Sequence, residues 1–206
     1  MNKIYTIGYV SYTLSGFIEV LKKYGINAVA DIRTTPYSQF KPEFNGNILA
    51  GNLKSNRISY VSLGKECGAR PDDKSCYVND RVNFDILSAT DLFRQGLQRL
   101  KKGMEHYCIG IMCAEQDPIQ CHRYILVARE LSKHYPELEI INVLQNGIIE
   151  KMEETEFRLL KEYDLDSEEI PGIGKSFSER LQEAYALQGE KISYRINEKE
   201  GCENEG

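Results

Sequence analysis

The 206-residue chain predicts an α/β protein, with a mostly parallel sheet of about five strands sandwiched between helices and a C-terminal helical extension behind it. Three observations predict this. Short, nearly all-apolar runs such as Ile26 to Ile32 recur, as strands covered on both faces require. Between them lie segments with apolar residues at i, i+3, i+4 and i+7, which is one buried face of a helix. The two kinds of segment alternate at the spacing of βαβ units.

In chain order, Ile4 to Gly8 reads as the first strand. A helix follows from about Thr13, with Leu14, Phe17, Ile18 and Leu21 on one face, and Gly25 stops it. Ile26 to Ile32 is the second strand; it finishes in Asp31-Ile32-Arg33, so Asp31 and Arg33 share a side. Thr34 to Asn45 is a loop with two prolines, Asn45 caps a helix through about Ser55, and Ile58 to Leu63 is a third strand. From Gly64 to about Ala89 the chain reads as irregular and carries Cys67, Arg70 and Cys76. A connection of that length in a compact domain is usually functional or mobile. Thr90 caps a helix with Leu92, Phe93, Leu97 and Leu100 inward, stopped by Gly103. Tyr107 to Met112 is a fourth strand, a helix is expected from about Ile119, and Leu138 to Leu144 is a fifth strand.

Residues 1–149 are therefore expected to form one α/β domain, and residues 150–206 an acidic, mostly helical extension packed on it or trailing from it. The charge divides the same way. Residues 1–149 hold 18 Lys and Arg against 15 Asp and Glu, whereas residues 150–206 hold 8 against 16. A mildly basic front suits a small anionic ligand and is too weak for a dedicated nucleic-acid surface. Within the extension, Pro171-Gly172-Ile173-Gly174-Lys175-Ser176 is not a phosphate-binding loop, because Glu169 stands where the first glycine belongs. A similar turn occurs in DNA-binding helical hairpins, but this one lies in the most acidic part of the chain and reads as a plain interhelical turn.

No apolar run approaches the ~20 residues that span a bilayer. The N-terminal MNKIYTIGYV is strand-like and lacks a signal peptide's apolar region and cleavage site. A cytoplasmic location is expected, with the six cysteines reduced. Their spacing shows no paired C-x-x-C knuckles, so no zinc ribbon is expected.

The chemistry concentrates between Tyr107 and Leu131, in YCIGIMCAEQDPIQCHRYILVAREL. Cys113 ends a strand and Glu115 and Asp117 follow in the loop. Asp117 and Pro118 have the character of a helix start, and Cys121, His122 and Arg123 fall in the next turn. Ligands of open parallel sheets bind beyond the carboxyl ends of the strands. Gly8-Tyr9, Arg33 and Cys113 with Glu115 all lie at such ends. A thiol just before a helix N-terminus is set up for a lowered pKa, which makes Cys113 a candidate nucleophile. Glu115 and His122 are the candidate proton carriers. Tyr9, Arg33, Cys121 and Arg123 are the candidate substrate contacts, the two arginines offering planar forks for carboxylate or phosphate. The three consecutive positions 121, 122 and 123 would diverge by about 100° each on a helix, so at most two are expected to face one ligand. Bland uses compete with each of these: Cys113 and Cys121 as small core residues, and Arg33 as the ion-pair partner of Asp31. Cys113, Cys121 and His122 with Glu115, Cys67 or Cys76 could instead ligate a metal, although C-x7-C-H is not a standard zinc spacing.

The segments TIGYVSYTLSGFIEVLKKYGI, VADIRTTPYSQFKPEFN, ISYVSLGKECGAR and MCAEQDPIQCHR, taken in order, resemble the domain of unknown function 488 family. The tail, with LLKEYDLD and EAYALQGEKISYR, is similar to that family's usual extension. The resemblance implies a Rossmann-like α/β domain and points to Arg33, Cys113, Glu115, Cys121, His122 and Arg123, with Asp31 and Tyr9 in support. It assigns no activity. Tyr9 stands where many members carry His, a departure that sets the resemblance against a general-base role at that position.

The functional expectation is an enzyme acting on a small anionic, possibly nucleotide-like, substrate at these strand ends. The alternatives are a non-catalytic regulatory domain that binds a ligand or nucleic acid through the same cluster, and a Cys/His metal site. No cofactor is assigned and the oligomeric state is left open.

Overall fold

The computed structural model of the chain describes residues 3–167 and 174–196. Strand β1 (Lys3–Gly8) leads into helix α1 (Leu14–Lys23), whose first turn is capped by Thr13 Oγ1, accepting the Gly16 N–H at 3.2 Å. Phe17, Ile18 and Leu21 are buried on its inner face, as the period-3.6 pattern requires. Strand β2 (Ala28–Asp31), helix α2 (Gly46–Ser55) and strand β3 (Ser59–Ser62) follow. Asn45 precedes α2 without capping it. Its side chain instead accepts the Ser38 N–H at 2.6 Å and folds the preceding loop.

The stretch 64–89, expected to be irregular, has structure of its own. It contains a one-turn helix α3 (Gly64–Cys67), a hairpin of β4 (Tyr77–Val78) and β5 (Arg81–Val82), and the short helix α4 (Phe84–Ser88). Each is too brief for periodicity to reveal. Helix α5 (Asp91–Met104) then begins at a Thr90 cap, where Oγ1 accepts the Phe93 N–H at 3.2 Å. Strand β6 (Ile109–Cys113) is next. Beyond it the chain departs from the single helix expected from Ile119. A 3-10 turn over Pro118–Gln120 is followed by extended backbone at Cys121 and a wide π-helical segment, Arg123–Ala128, which runs into α6 (Arg129–His134). Strand β7 (Glu139–Val143), a three-residue strand β8 (Ile149–Lys151), α7 (Met152–Glu162) and α8 (Phe177–Ile192) complete the described chain.

The main sheet has six strands in the order β3-β2-β6-β1-β7-β8, all parallel except β8, which runs antiparallel to β7. It is a Rossmann-like α/β sandwich with one more strand than the apolar runs reveal. Tyr5, Ile7, Val29 and Met112 face a layer with Phe17 and Leu21 of α1 and Leu49 and Leu53 of α2. Ile4, Ala30, Ile111 and Ile140 face the opposite layer, with Phe93, Leu97 and Leu100 of α5 and Tyr124 to Leu131. Each such large apolar side chain contributes roughly 1.5–3 kcal/mol on burial.

The strand β8 spans position 149, and the helices after it enter the same core: Leu159, Leu160, Ala184 and Tyr185 pack in the cluster that holds Ile111 and Ile140. The Pro171-Gly172-Ile173 turn falls outside the described residues. Among the described residues no helix is long and apolar enough to cross a membrane.

Tyr185 and Tyr124 meet beneath α7, and the Tyr185 hydroxyl donates to Glu156 at 3.2 Å. Burial raises the Glu156 pKa above the ordinary carboxylate value. A carboxyl whose folded pKa exceeds its unfolded pKa binds its proton more tightly when folded. Its contribution therefore falls as pH climbs through that interval, and at neutral pH it opposes folding. Glu156→Gln should raise the urea midpoint relative to the parent at pH 7 and lose that advantage near pH 4. An equal difference at both pH values would contradict the assignment.

Candidate functional site

The sheet order puts β6 between β1 and β2, with Gly8 opposite Cys113 and Asp31 opposite Met112. Three carboxyl ends with polar features thus become neighbours, and the loop after β6 is laid across the end of β1. The Tyr9 N–H donates to the Cys113 carbonyl at 3.1 Å and the Val10 N–H to the Ala114 carbonyl at 3.0 Å. Gly8 permits this approach: a Cβ there would lie 1.7 Å from the Glu115 carbonyl oxygen.

Arg123 fixes the loop from behind. It is fully buried, and Nη1 donates to the Glu115 carbonyl at 2.5 Å, Nη2 to the Gln116 carbonyl at 3.0 Å, and Nε to Thr6 Oγ1 at 3.3 Å. The guanidinium expected to clamp substrate therefore lies under the loop, away from the cleft. Arg33 is likewise engaged. Nε and Nη2 bind the Asp31 carboxylate at 2.9 and 2.6 Å, and Nη2 also donates to the Phe44 carbonyl at 2.8 Å. Its Nη1 is buried with no hydrogen-bond partner among the described residues. Tyr60 donates to Asp31 at 2.8 Å, and its burial beside that carboxylate raises its own pKa, so the phenol keeps its proton. Tyr9 stacks on Phe44 at 4.5 Å between centroids and lies 4.9 Å from the Arg33 guanidinium.

Cys113, Glu115, Cys121 and His122 come together: one ligand atom from each lies within 4.8 Å of the others. Cys113 Sγ donates to Glu115 Oε2 at 3.2 Å, Cys121 Sγ to the same oxygen at 2.7 Å, and Cys113 Sγ lies 3.7 Å from His122 Nδ1. His122 Nε2 faces the Ile32 carbonyl at 3.3 Å. A carbonyl only accepts, so Nε2 carries the hydrogen and Nδ1 is turned to the cluster. The expected 100° divergence does not apply, because Cys121 is extended and the helix starts after it. Cys121 and His122 face the cluster while Arg123 turns the other way.

The two thiols are not equivalent. A hydrogen bond with Cys121 and burial push the Cys113 thiol well above its ordinary pKa, opposite to the lowering expected of it. Burial works against the Cys121 thiolate as well, but the Cys113 hydrogen bond, the Arg123 charge and His122 hold its pKa well below the usual value. Cys121 stands just before the π-helical segment, and its Sγ accepts the Arg123 backbone N–H at 3.5 Å. Glu115 is exposed as a residue, but its carboxylate oxygen lies against the two sulfurs, where desolvation raises its pKa and Cys121 adds to the shift; His122 is lowered by burial, but Cys121 outweighs this and the net shift is upward.

A cleft of about 540 Å³ opens over this floor, lined by Tyr9, Arg33, Cys113, Glu115 and His122 on the sheet side. The far wall comes from Arg70 after α3, in the long connection noted in the sequence but given no role there, and from Lys191 to Tyr194 at the end of α8, which the sequence did not single out. Arg70 lies over the Tyr194 ring at 4.5 Å, and no carboxylate pairs with it among the described residues; Lys191 pairs with Glu162 at 3.0 Å. Helices α7 and α8 also brace the loop. Arg158 binds the Asp117 carboxylate with Nη1 and Nη2, both at 2.9 Å, and the buried Gln188 donates to the Ile119 carbonyl at 2.6 Å. Cys67 and Cys76 take no part; both are fully buried in the core, and burial pushes the Cys67 thiol up to about 12.

Residues 13–129, more than half of the chain, match the family described as Domain of unknown function DUF488. The chain belongs to this family. The match takes in α1 through the first residue of α6, and so Arg33, Cys113, Glu115, Cys121, His122 and Arg123; Tyr9 and the α8 wall lie outside it. No curated protein and no solved structure matches the chain.

Arg123→Ala would leave two loop carbonyls without their donor, at roughly 1–3 kcal/mol each. Urea unfolding should show a loss of that order. Gly8→Ala should be destabilising as well, since the atom that its Cβ meets is backbone of the same loop. Parent-like stability of both variants would show that the loop is not held this way.

Proposed function

We propose that this DUF488 protein is an enzyme that acts on a small anionic substrate bound in the cleft over Cys113, Glu115 and His122. The observation that carries the reading is the convergence of these three groups on the cleft floor, opposite Arg70, an arginine without a carboxylate partner among the described residues. Pockets of this size with a few convergent polar groups and shifted titrations are where ligands are processed. Glu115 is the proton carrier. It is the exposed member of the cluster, so it can reach both bound substrate and the groups beneath it. Arg70 and Lys191 draw the anion in, and the Tyr9 ring forms an apolar edge. Arg33, already held by Asp31, orders the strand end and offers substrate at most its remaining Nη1. The five cysteines among the described residues are all free, which fits a reducing compartment and a cytoplasmic location.

Calorimetric titration with inorganic phosphate and with adenosine monophosphate tests the binding half. Saturable binding is expected, weakened about tenfold or more in Arg70→Ala, as the loss of a charge-assisted contact would do. For the chemical half, a panel of small anionic esters and amides is assayed for turnover. Glu115→Gln should lower any turnover by roughly 10²–10⁴-fold, with phosphate binding kept. Binding insensitive to Arg70 together with turnover insensitive to Glu115 would sink the proposal.

A further inference from the structure

The two sulfurs of the cleft floor are poorly placed to attack substrate. Cys121 is 1% exposed and stands behind Cys113 and Glu115. Cys113 lines the cleft, but its Sγ is turned to Glu115 and His122. What two sulfurs, an imidazole nitrogen and a carboxylate oxygen can do when gathered this closely is hold a metal ion. We infer that Cys113, Cys121 and His122, with Glu115 as an exchangeable fourth ligand, form a binding site for one thiophilic divalent cation of the zinc class. The inference adds a cofactor to the reaction site proposed above, but the ion site itself stands on the four ligand atoms alone.

The distances fit. With zinc–sulfur bonds of ~2.3 Å and zinc–nitrogen or zinc–oxygen bonds of ~2.0 Å, tetrahedral ligands lie roughly 3.3–3.8 Å apart. The Cys113–His122 pair is at 3.7 Å and the Cys113–Glu115 pair at 3.2 Å. The Cys121–Glu115 contact, at 2.7 Å, is shorter than that range and would have to lengthen on binding; it involves the exposed residue of the four. Ligand orientation is a second and independent observation. Metal-binding histidines donate the other ring N–H to a carbonyl or carboxylate, which fixes the ring and its tautomer. Here Ile32 supplies that carbonyl, and Nδ1 is turned to the sulfurs.

Charge and softness narrow the ion. Two thiolates and a carboxylate are balanced by one divalent cation together with the buried Arg123 guanidinium held at the Glu115 carbonyl. Thiolate and imidazole donors select zinc, iron, cobalt or copper over magnesium and calcium. Three buried or half-buried ligands and one exposed carboxylate are the pattern of a site whose fourth position can pass to water or substrate. An ion there would polarise a bound water or carbonyl, and Glu115, on leaving it, would be placed to move the proton.

The test uses the full-length protein purified under reducing conditions. Plasma mass spectrometry should find close to one zinc-class ion per chain. After stripping, cobalt(II) should restore one ion per chain, with thiolate-to-cobalt charge transfer in the ultraviolet and the visible bands of a tetrahedral centre. Cys121→Ser and Cys113→Ser should each weaken cobalt at least about tenfold, the lower bound for even an outer-shell change. Glu115→Gln should keep the charge transfer and shift the visible bands. If a serine variant does not fold, the charge-transfer intensity of the unaltered chain still counts its thiolate ligands. Cobalt binding without charge transfer, or serine variants that bind like the parent, would overturn the inference. Failure of cobalt to bind overturns the ion and leaves the phosphate and Glu115 tests standing. Cobalt bound at the thiolates, with neither phosphate binding nor turnover, overturns the enzyme reading and leaves the ion.

Discussion

The buried guanidinium of Arg123 is the constraint on which the rest of the site depends. The loop after β6 has to cross the end of β1, and crossing leaves carbonyls pointing into the protein, where water cannot reach them. Arg123 satisfies two of them and is tied to β1 through Thr6, while Asn142 of β7 accepts the Thr6 hydroxyl at 2.7 Å. Gly8 makes room for the crossing. With the loop fixed in this way, Glu115 is held above Cys113. The chain then reaches Cys121 in extended form, and the helix begins only after it, at Arg123. That break lets positions 121 and 122 share a target while 123 turns inward.

A second constraint is strand order. Were β1 beside β2, as in a sheet wound outward from its first strand, the ends at Tyr9 and Arg33 would adjoin and Cys113 would stand apart. Placing β6 between them brings the Cys113 end within reach of both. The C-terminal helices then close the arrangement. Arg158 of α7 grips Asp117, Gln188 of α8 grips Ile119, and the end of α8 stands across the cleft from Cys113. The end of α8, within the acidic extension, is therefore part of the cleft wall, beside residues of the mildly basic front.

Much of this was legible in the sequence. The Phe17, Ile18 and Leu21 face, the Thr13 and Thr90 caps and the apolar strands announce the layers, and CAEQDPIQCHR announces the cluster. Period and capping are local properties, so residues a few positions apart suffice to display them. The roles of Arg33 and Arg123 were not legible, because an arginine that clamps an anion and one that holds a carbonyl look alike until the backbone around them is known. Nor was the turn of Cys121 toward the cluster. It follows from where the helix starts, and a helix start displaced by a 3-10 turn and an extended residue leaves no periodic signal. Gln188 and Lys191 were overlooked, and Arg70 was noted without a role, for a plainer reason: they reach the site across long stretches of chain only after the sheet and helices have assembled, as the contacts of Arg70 with Thr34, 36 positions away, and of Gln188 with Ile119, 69 positions away, illustrate.

Stability gives no reason for the cluster to exist. Two thiols, a carboxylate and an imidazole packed within 4.8 Å displace apolar side chains that would fill the same volume at lower energy. The single-sided hydrogen bonding of Glu115 to both sulfurs satisfies the groups but rewards the fold little, since thiols are weak donors. Around them the chain makes costlier provisions, a buried Arg123 and a π-helical segment, whose effect is to keep these four side chains on one point. Local departures from what folding alone would choose mark sites retained for chemistry. Here the departures all serve one arrangement, with sulfur and nitrogen beneath and a carboxylate at the surface, facing a cleft with an arginine on its other side.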